Sequence, residues 1–274
     1  MSEVERTQDM TEAIKRMPIT FDKASALITG GTSGVGLETA CQLAEAGVPR
    51  IAIVGRNQER GQAARDSILA RKPGVAVEFL QGDCNKTADA VRVCEAARAA
   101  FGSVDILINS TVGPYGPTLL HNIPVEQMQN IILEQMMAPL LTSRIVLPWM
   151  AEKGGGAIVN IASDAGKLTT PGEAVIGAAM AGIIMFSRTM AMEAKRHGIR
   201  VNIVTPSIIE GTATYQHVMS AEFSSKLFGK AIKMAQLGVV NPADMAALIV
   251  FLASPQAAKI SGQAISCNGG ISAA

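Results

Sequence analysis

Histidine, aromatic side chains and charge are all scarce in these 274 residues. Three histidines (His121, His197, His217) and four cysteines (Cys41, Cys84, Cys94, Cys267) lie too far apart for zinc-ligand spacing, and there is no Cys-x-x-Cys pair. The cysteines read as separate buried thiols in a reducing cytosol, not as a disulfide framework. Charged residues make up 17%, the formal net charge is +1, and no block of Lys or Arg stands out. That balance excludes electrostatic capture of nucleic acid or of an anionic membrane. Internal repeats and low-complexity linkers are missing too. No stretch reads as long and apolar enough to span a bilayer, and residues 1–22 are polar, without the apolar region of a secretory signal. The expectation is a cytoplasmic protein. Residues 1–22 read as a frayed N-terminal extension, with a helical turn or two over 11–17 as the alternative.

What is present is a rhythm. With 48% hydrophobic residues the chain can bury one substantial core. Short apolar runs, often β-branched, fall at 24–29, 50–54, 75–80, 104–108, 157–161, 200–204 and 264–267, as buried parallel strands require. Longer amphipathic stretches at 34–47, 58–71, 86–101, 125–152, 172–197 and 242–254 predict helices between them. Asn57, Asn85 and Asn241 are the expected helix starts, Gly47 and Gly198 the expected stops. Strict alternation predicts a single α/β domain over 23–274, a doubly wound, seven-stranded parallel sheet. Residues 207–238 interrupt the rhythm after the sixth strand. An excursion from the carboxyl end of such a strand is placed to act as a lid over the ligand crevice.

The first strand runs into Gly30-Gly31-Thr32-Ser33-Gly34-Val35-Gly36 and then a helix. Glycines there permit a tight turn and close approach of backbone to a diphosphate, and the helix start supplies free N–H groups. Thr-Gly-x-x-x-Gly-x-Gly directly after a strand is far more specific than a lone Gly-x-Gly. Further ordered segments are Gly82-Asp83, 105–109 (Asp-Ile-Leu-Ile-Asn), Leu147-Pro148, 156–161 (Gly-Ala-Ile-Val-Asn-Ile), 198–202 (Gly-Ile-Arg-Val-Asn), Pro206 and Ser261-Gly262-Gln263 with Gly269-Gly270. Over about 24–270 the chain resembles the short-chain dehydrogenase/reductase family, which implies a Rossmann-type fold. The resemblance implies a cofactor held by Gly30, Thr32, Ser33, Gly34, Val35 and Gly36, with Asp83 at the adenine, Asn109 at the end of the fourth strand and Thr212 towards the nicotinamide amide. Members that use NAD carry an acid at the end of the second strand. Here that end reads Val54-Gly55-Arg56-Asn57, and a forked contact from Arg56 to a 2′-phosphate favours NADP(H) over NAD(H). Two turns depart from the family: Asn-Asn-Ala-Gly appears as 109–113, Asn-Ser-Thr-Val-Gly, and Pro-Gly as Pro206-Ser207.

The larger departure is chemical. The family's reaction uses a Tyr as acid/base, a Lys four residues on that lowers its pKa, a Ser and a fourth-helix Asn. Ser163 lies thirteen residues before Ile176, the family's Ser-to-Tyr spacing, so the Tyr and Lys positions hold Ile176 and Met180. Counting back from Leu147-Pro148 puts Gln135 at the Asn position. Of the four only Ser163 survives. Tyr115, Asp164, Tyr215 and His217 read as surface or packing residues before relocated catalysts. Met136, Met137, Leu140, Leu141, Ile145, Ile183, Ile184, Met185, Phe186 and Met190 on the fourth and fifth helices are expected to fill core and subunit contacts.

Three functions are consistent with this pattern. The first is a catalytically silent subunit of a hetero-oligomeric dehydrogenase, a tetramer with a sister chain whose active site is intact. The alternative is an active NADPH-dependent enoyl-CoA reductase using Ser163 and Gln135 as hydrogen-bond donors to the thioester oxygen. The third is an NADPH-responsive regulatory protein. An acyl-CoA ligand is implied by the resemblance alone.

Overall fold

The computed structural model describes residues 20–273, so the reading of 11–17 lies outside the described residues. Seven strands form one sheet in which every pair is parallel: β1 (Ser25–Thr29), β2 (Arg50–Gly55), β3 (Ala76–Gln81), β4 (Ile106–Asn109), β5 (Gly156–Ile161), β6 (Ile199–Thr205) and β7 (Ala264–Ser266). The order is β3-β2-β1-β4-β5-β6-β7. It reverses between β1 and β4, and the crevice outside such a reversal is where open α/β sheets bind ligands.

The helices are α1 (Gly34–Glu45), α2 (Gln58–Arg71), α3 (Thr87–Phe101), α4 (Val125–Lys153), α5 (Ala174–Ala194), α6 (Ala213–Ser220), α7 (Glu222–Met234) and α8 (Pro242–Ala253). Alternate side chains of each buried strand feed opposite faces. Ile28, Ile51, Ile53 and Ile108 pack with α1, α2 and α8, while Leu27, Leu107, Ile158 and Val201 pack with α3, α4 and α5. Asn57 accepts from Arg60 N and Asn241 forms a full capping box with Asp244, so both start helices as expected.

Asn85 does not. α3 begins at Thr87 with Lys86 at its cap and no side-chain cap bond. The Asn85 amide instead inserts into α4, donating to Glu134 O at 3.2 Å and accepting from Ala138 N at 2.9 Å. These are the two groups an unbroken helix would join to each other. They sit just before Pro139, which has no N–H of its own to give the ladder.

Two more expectations change. α4, and α5 with its 3-10 extension to His197, are long and apolar enough by length and composition to cross a membrane. Both instead flank the sheet, and their buried faces belong to the core; the mean hydropathy of α5 reflects core packing. Within α5, Ile183 and Met190 point inward and are buried, whereas Met185 and Met192 face out at 60% and 63% exposure. The excursion at 207–238 holds α6 and α7, which pack on each other through Val218 and Phe228 and on Ile271 near the end of the chain.

Candidate functional site

Gly30 and Gly36, at the two ends of the turn after β1, leave no room for a side chain. Gly30 has φ +67°, and a Cβ on it would lie 2.3 Å from Ser110 O at the end of β4. A Cβ on Gly36 would lie 2.3 Å from Gly30 O, so α1 begins directly beneath the turn. Ser33 stands at the cap of α1 without a side-chain cap bond, and the first N–H groups of the helix keep their donor capacity. Gly34, at φ +52°, faces the Thr212 methyl 3.6 Å from where its Cβ would be. Val35 is buried in the core, so only its backbone belongs to the turn. This arrangement fits a diphosphate: free N–H groups, a favourable helix dipole and bare backbone.

Next to the turn, Thr32 fills the space above the end of β2. A Cβ on Gly55 would lie 2.7 Å from Thr32 Oγ1, so no side chain fits at 55, and the following residue, Arg56, is exposed. Asp83 is half-buried, with its Oδ1 accepting from Asn85 N. The side chains of Asn109 and Thr212, two further expected cofactor contacts, form hydrogen bonds within the fold. Asn109 is buried and accepts from Thr29 and Thr142 while donating to Asn160, which donates to Ser187. Its amide ties β1, β4, β5, α4 and α5 together instead of facing the crevice. The Thr212 hydroxyl caps α6, accepting from Tyr215 N at 3.1 Å and donating to Ile209 O at 2.9 Å.

At the other end the crevice is apolar. Met180 is 7% exposed and packs with Ala162, Ile183, Ile184 and Ile203, and Met136 and Ile176 close the cluster. Ser163 Oγ accepts from Ala165 N at 3.2 Å and reaches Pro206 O at 3.5 Å. The buried Gln135 accepts from Gly113 N through Oε1 at 3.3 Å. Tyr115 donates to Glu134 at 3.4 Å, and burial followed by the Glu134 charge pushes its phenol pKa up, opposite to the direction an acid/base needs.

A short chain dehydrogenase model matches residues 24–246. The chain belongs to the short-chain dehydrogenase/reductase family. It is 32% identical to a 3-oxoacyl-[acyl-carrier-protein] reductase FabG of Chlamydia muridarum, an alignment covering 90% of this chain and 96% of that protein. It is 30% identical to an uncharacterized oxidoreductase of Thermotoga maritima, with 92% and 99% covered. Among solved structures, levodione reductase superposes with TM-score 0.85 at 25% identity, covering 91% and 98% of the two chains. A putative short-chain alcohol dehydrogenase of Sinorhizobium meliloti superposes at 0.82 with 26% identity, covering 93% and 97%. Membership implies a nicotinamide dinucleotide as the family's cofactor and oxidoreductase ancestry for this site.

Two carboxyl groups near the family's catalytic positions have environments that local sequence patterns do not announce. Asp164 accepts from Thr205, Ser266, Asn268 and Ser272, and its Oδ1 lies 3.2 Å from Lys167 Nζ. Burial alone would raise its pKa; the hydrogen bonds from Asn268, Ser266 and Thr205, with the Lys167 charge, hold it below the ordinary value. These bonds tie it to β6, β7 and the turn at 268–272. Glu173, one turn before Ile176, is pushed up to about 7 by burial, against a hydrogen bond from Thr170.

Proposed function

We propose that this chain is the catalytically silent subunit of a hetero-oligomeric short-chain dehydrogenase, a cytoplasmic tetramer formed with a sister chain of the same fold that carries the Tyr/Lys pair. The observation that supports it is the apolar cluster of Met136, Ile176 and Met180. A cluster without a titratable hydrogen cannot relay a proton, and Met180 offers no ammonium to a ribose hydroxyl or to a phenol. An active enoyl-CoA reductase working through Ser163 and Gln135 is the second reading: each side chain accepts from a backbone N–H, which orients it without using its own donor hydrogens. The first turn of α1 and its glycines would hold a dinucleotide's diphosphate, with Arg56 beside a 2′-phosphate, so NADP(H) is preferred. Bound NADP(H) in the family supplies a hydride; this chain's residues supply a cradle for it and no proton path. Relatives named 3-oxoacyl-[acyl-carrier-protein] reductases support an acyl thioester as the substrate class of the assembly, which we take to be an acyl-CoA.

The test is turnover. The purified chain alone should not oxidise NADPH with 3-oxoacyl- or enoyl-CoA, and a sister chain should be more active with it than without. Robust enoyl-CoA reduction by the isolated chain, lost in Ser163→Ala or Gln135→Ala, would replace this reading with the active one.

A further inference from the structure

At the end of the sheet where its strands begin, opposite the crevice, α8 and the end of α1 leave an open groove of about 530 Å³. Phe21, Ala247, Val250, Phe251 and Pro255 give it an apolar lining, and among the described residues no charged side chain borders it. Phe251 is 42% exposed there, on a helix whose other side, through Met245, Ile249 and Leu252, is core. The neighbouring Ser254 hydroxyl donates to Phe251 O at 2.7 Å, so it adds no free polar group. A contiguous apolar surface of this kind marks a place where something docks.

Residues 1–19 join the described fold at this groove. The chain enters through the 3-10 turn Phe21–Lys23, in which Phe21 is a groove wall and Lys23 O accepts from Arg50 Nη2 at 2.6 Å. The entry point is therefore fixed at the rim. In the sequence before it, Met10, Ile14 and Met17 fall at i, i+4 and i+7, the spacing of one helical face. Asp9 followed three residues later by Glu12 is a helix start signal, Lys15 and Arg16 suit a last turn, and Pro18 ends the pattern. The family match begins at residue 24, after this segment. A helix of about two turns is marginal in water and needs a surface against its apolar face. The three residues between Met17 and Phe21 span at most about 11 Å, so the groove lies within reach. A tether this short gives an effective concentration in the millimolar range, which favours the chain's own segment over that of a second copy.

We propose that residues 9–17 form a two-turn helix that docks in this groove of their own chain, with Met10, Ile14 and Met17 against Phe21, Val250 and Phe251. The docked helix covers the apolar face of α8 and closes this end of the molecule to association with other chains. The docking stands whether or not the chain is silent.

The experiment compares two double variants of the full-length chain, Ile14→Cys with Phe251→Cys and Glu12→Cys with Phe251→Cys. Each is oxidised mildly at low protein concentration, and the links are located by peptide mass. Ile14 lies on the helical face placed against α8, and Glu12 lies on the opposite one. The first pair should link within one chain at least about tenfold more than the second, because a disulfide needs Cα atoms within about 7 Å of each other. Equal linking of both pairs would show a segment with no docked face. Linking between chains would make a second copy the occupant, and no link would leave the groove to a different partner. Each of these results overturns the proposal. Trypsin gives a second reading at Lys15 and Arg16 in the chain without added cysteines. Cleavage there should be about tenfold faster in Ile14→Asp, which loses the burial of one aliphatic side chain, and an unchanged rate would also overturn the docking.

Discussion

At the end of the crevice that family members use for adenosine and diphosphate, Gly30, Gly34 and Gly36 keep backbone bare and helix N–H groups available. At the end they use for nicotinamide, Met136, Ile176 and Met180 fill the space with carbon and sulfur. Both ends are framed by the same strands, and Asn109 fixes β1, β4 and β5 relative to one another from inside the core. The scaffold therefore constrains the two ends equally. What differs is whether side chains leave room and polarity for a ligand. Binding frame and chemistry rest on different residues, so the two can vary independently on one fold.

The largest expected effect tests how dry the second end is. Met180→Lys should destabilise the chain by about 4 kcal/mol, read as a lower denaturation midpoint in urea, because an ammonium would be buried among Ile183, Ile184 and Ile203. A cost below about 1 kcal/mol would mean that this end is open to water and that the contrast fails.

Glu173 sharpens the comparison with a smaller effect. Its ordinary value of 4.5 rises to about 7 in the fold, so folding favours the neutral acid. Below the ordinary value the group carries no penalty. As pH rises from there through the folded value, ionisation costs stability, about 2 kcal/mol after allowance for partial exposure. Glu173→Gln should therefore match the parent at about pH 4 and exceed its stability at about pH 8. Parallel stability curves across that range would show that Glu173 is solvated.

Smaller still is the effect at the first end. Arg56→Ala should leave stability unchanged and lower the preference for NADP(H) over NAD(H) about tenfold, read by titration of each dinucleotide. Equal affinities in the unmodified chain would remove Arg56 from the account.

Much of this was legible in the residues, for local reasons. Helix α2 follows from its periodicity and from Asn57, whose cap bond is three residues long. That the sheet is parallel and doubly wound follows from strict alternation of strand and helix. The glycine turn is read from spacing. What escaped depends on contacts between residues far apart in sequence. Asn85 looks like a cap until α4, about fifty residues on, presents Glu134 and Ala138 to it. Asp164 finds Asn268 and Ser272 more than a hundred residues away. Ile183 and Met185 are two residues apart and equally apolar, yet only packing decides that the first is core and the second surface. The side-chain bonds of Asn109 to Thr29, Thr142 and Asn160 and of Thr212 to Ile209 and Tyr215 were likewise not read from the residues.

The central claim is that one end of the crevice recognises its half of the cofactor and the other does not. Calorimetric titration of the isolated chain with 2′-phospho-ADP-ribose and with NADPH tests it most directly. The account predicts dissociation constants within about threefold of each other, since the nicotinamide half meets Met180 and Ile176 and gains no charge-assisted contact. NADPH binding about thirtyfold or more tightly than the truncated ligand, equivalent to about 2 kcal/mol, would contradict it.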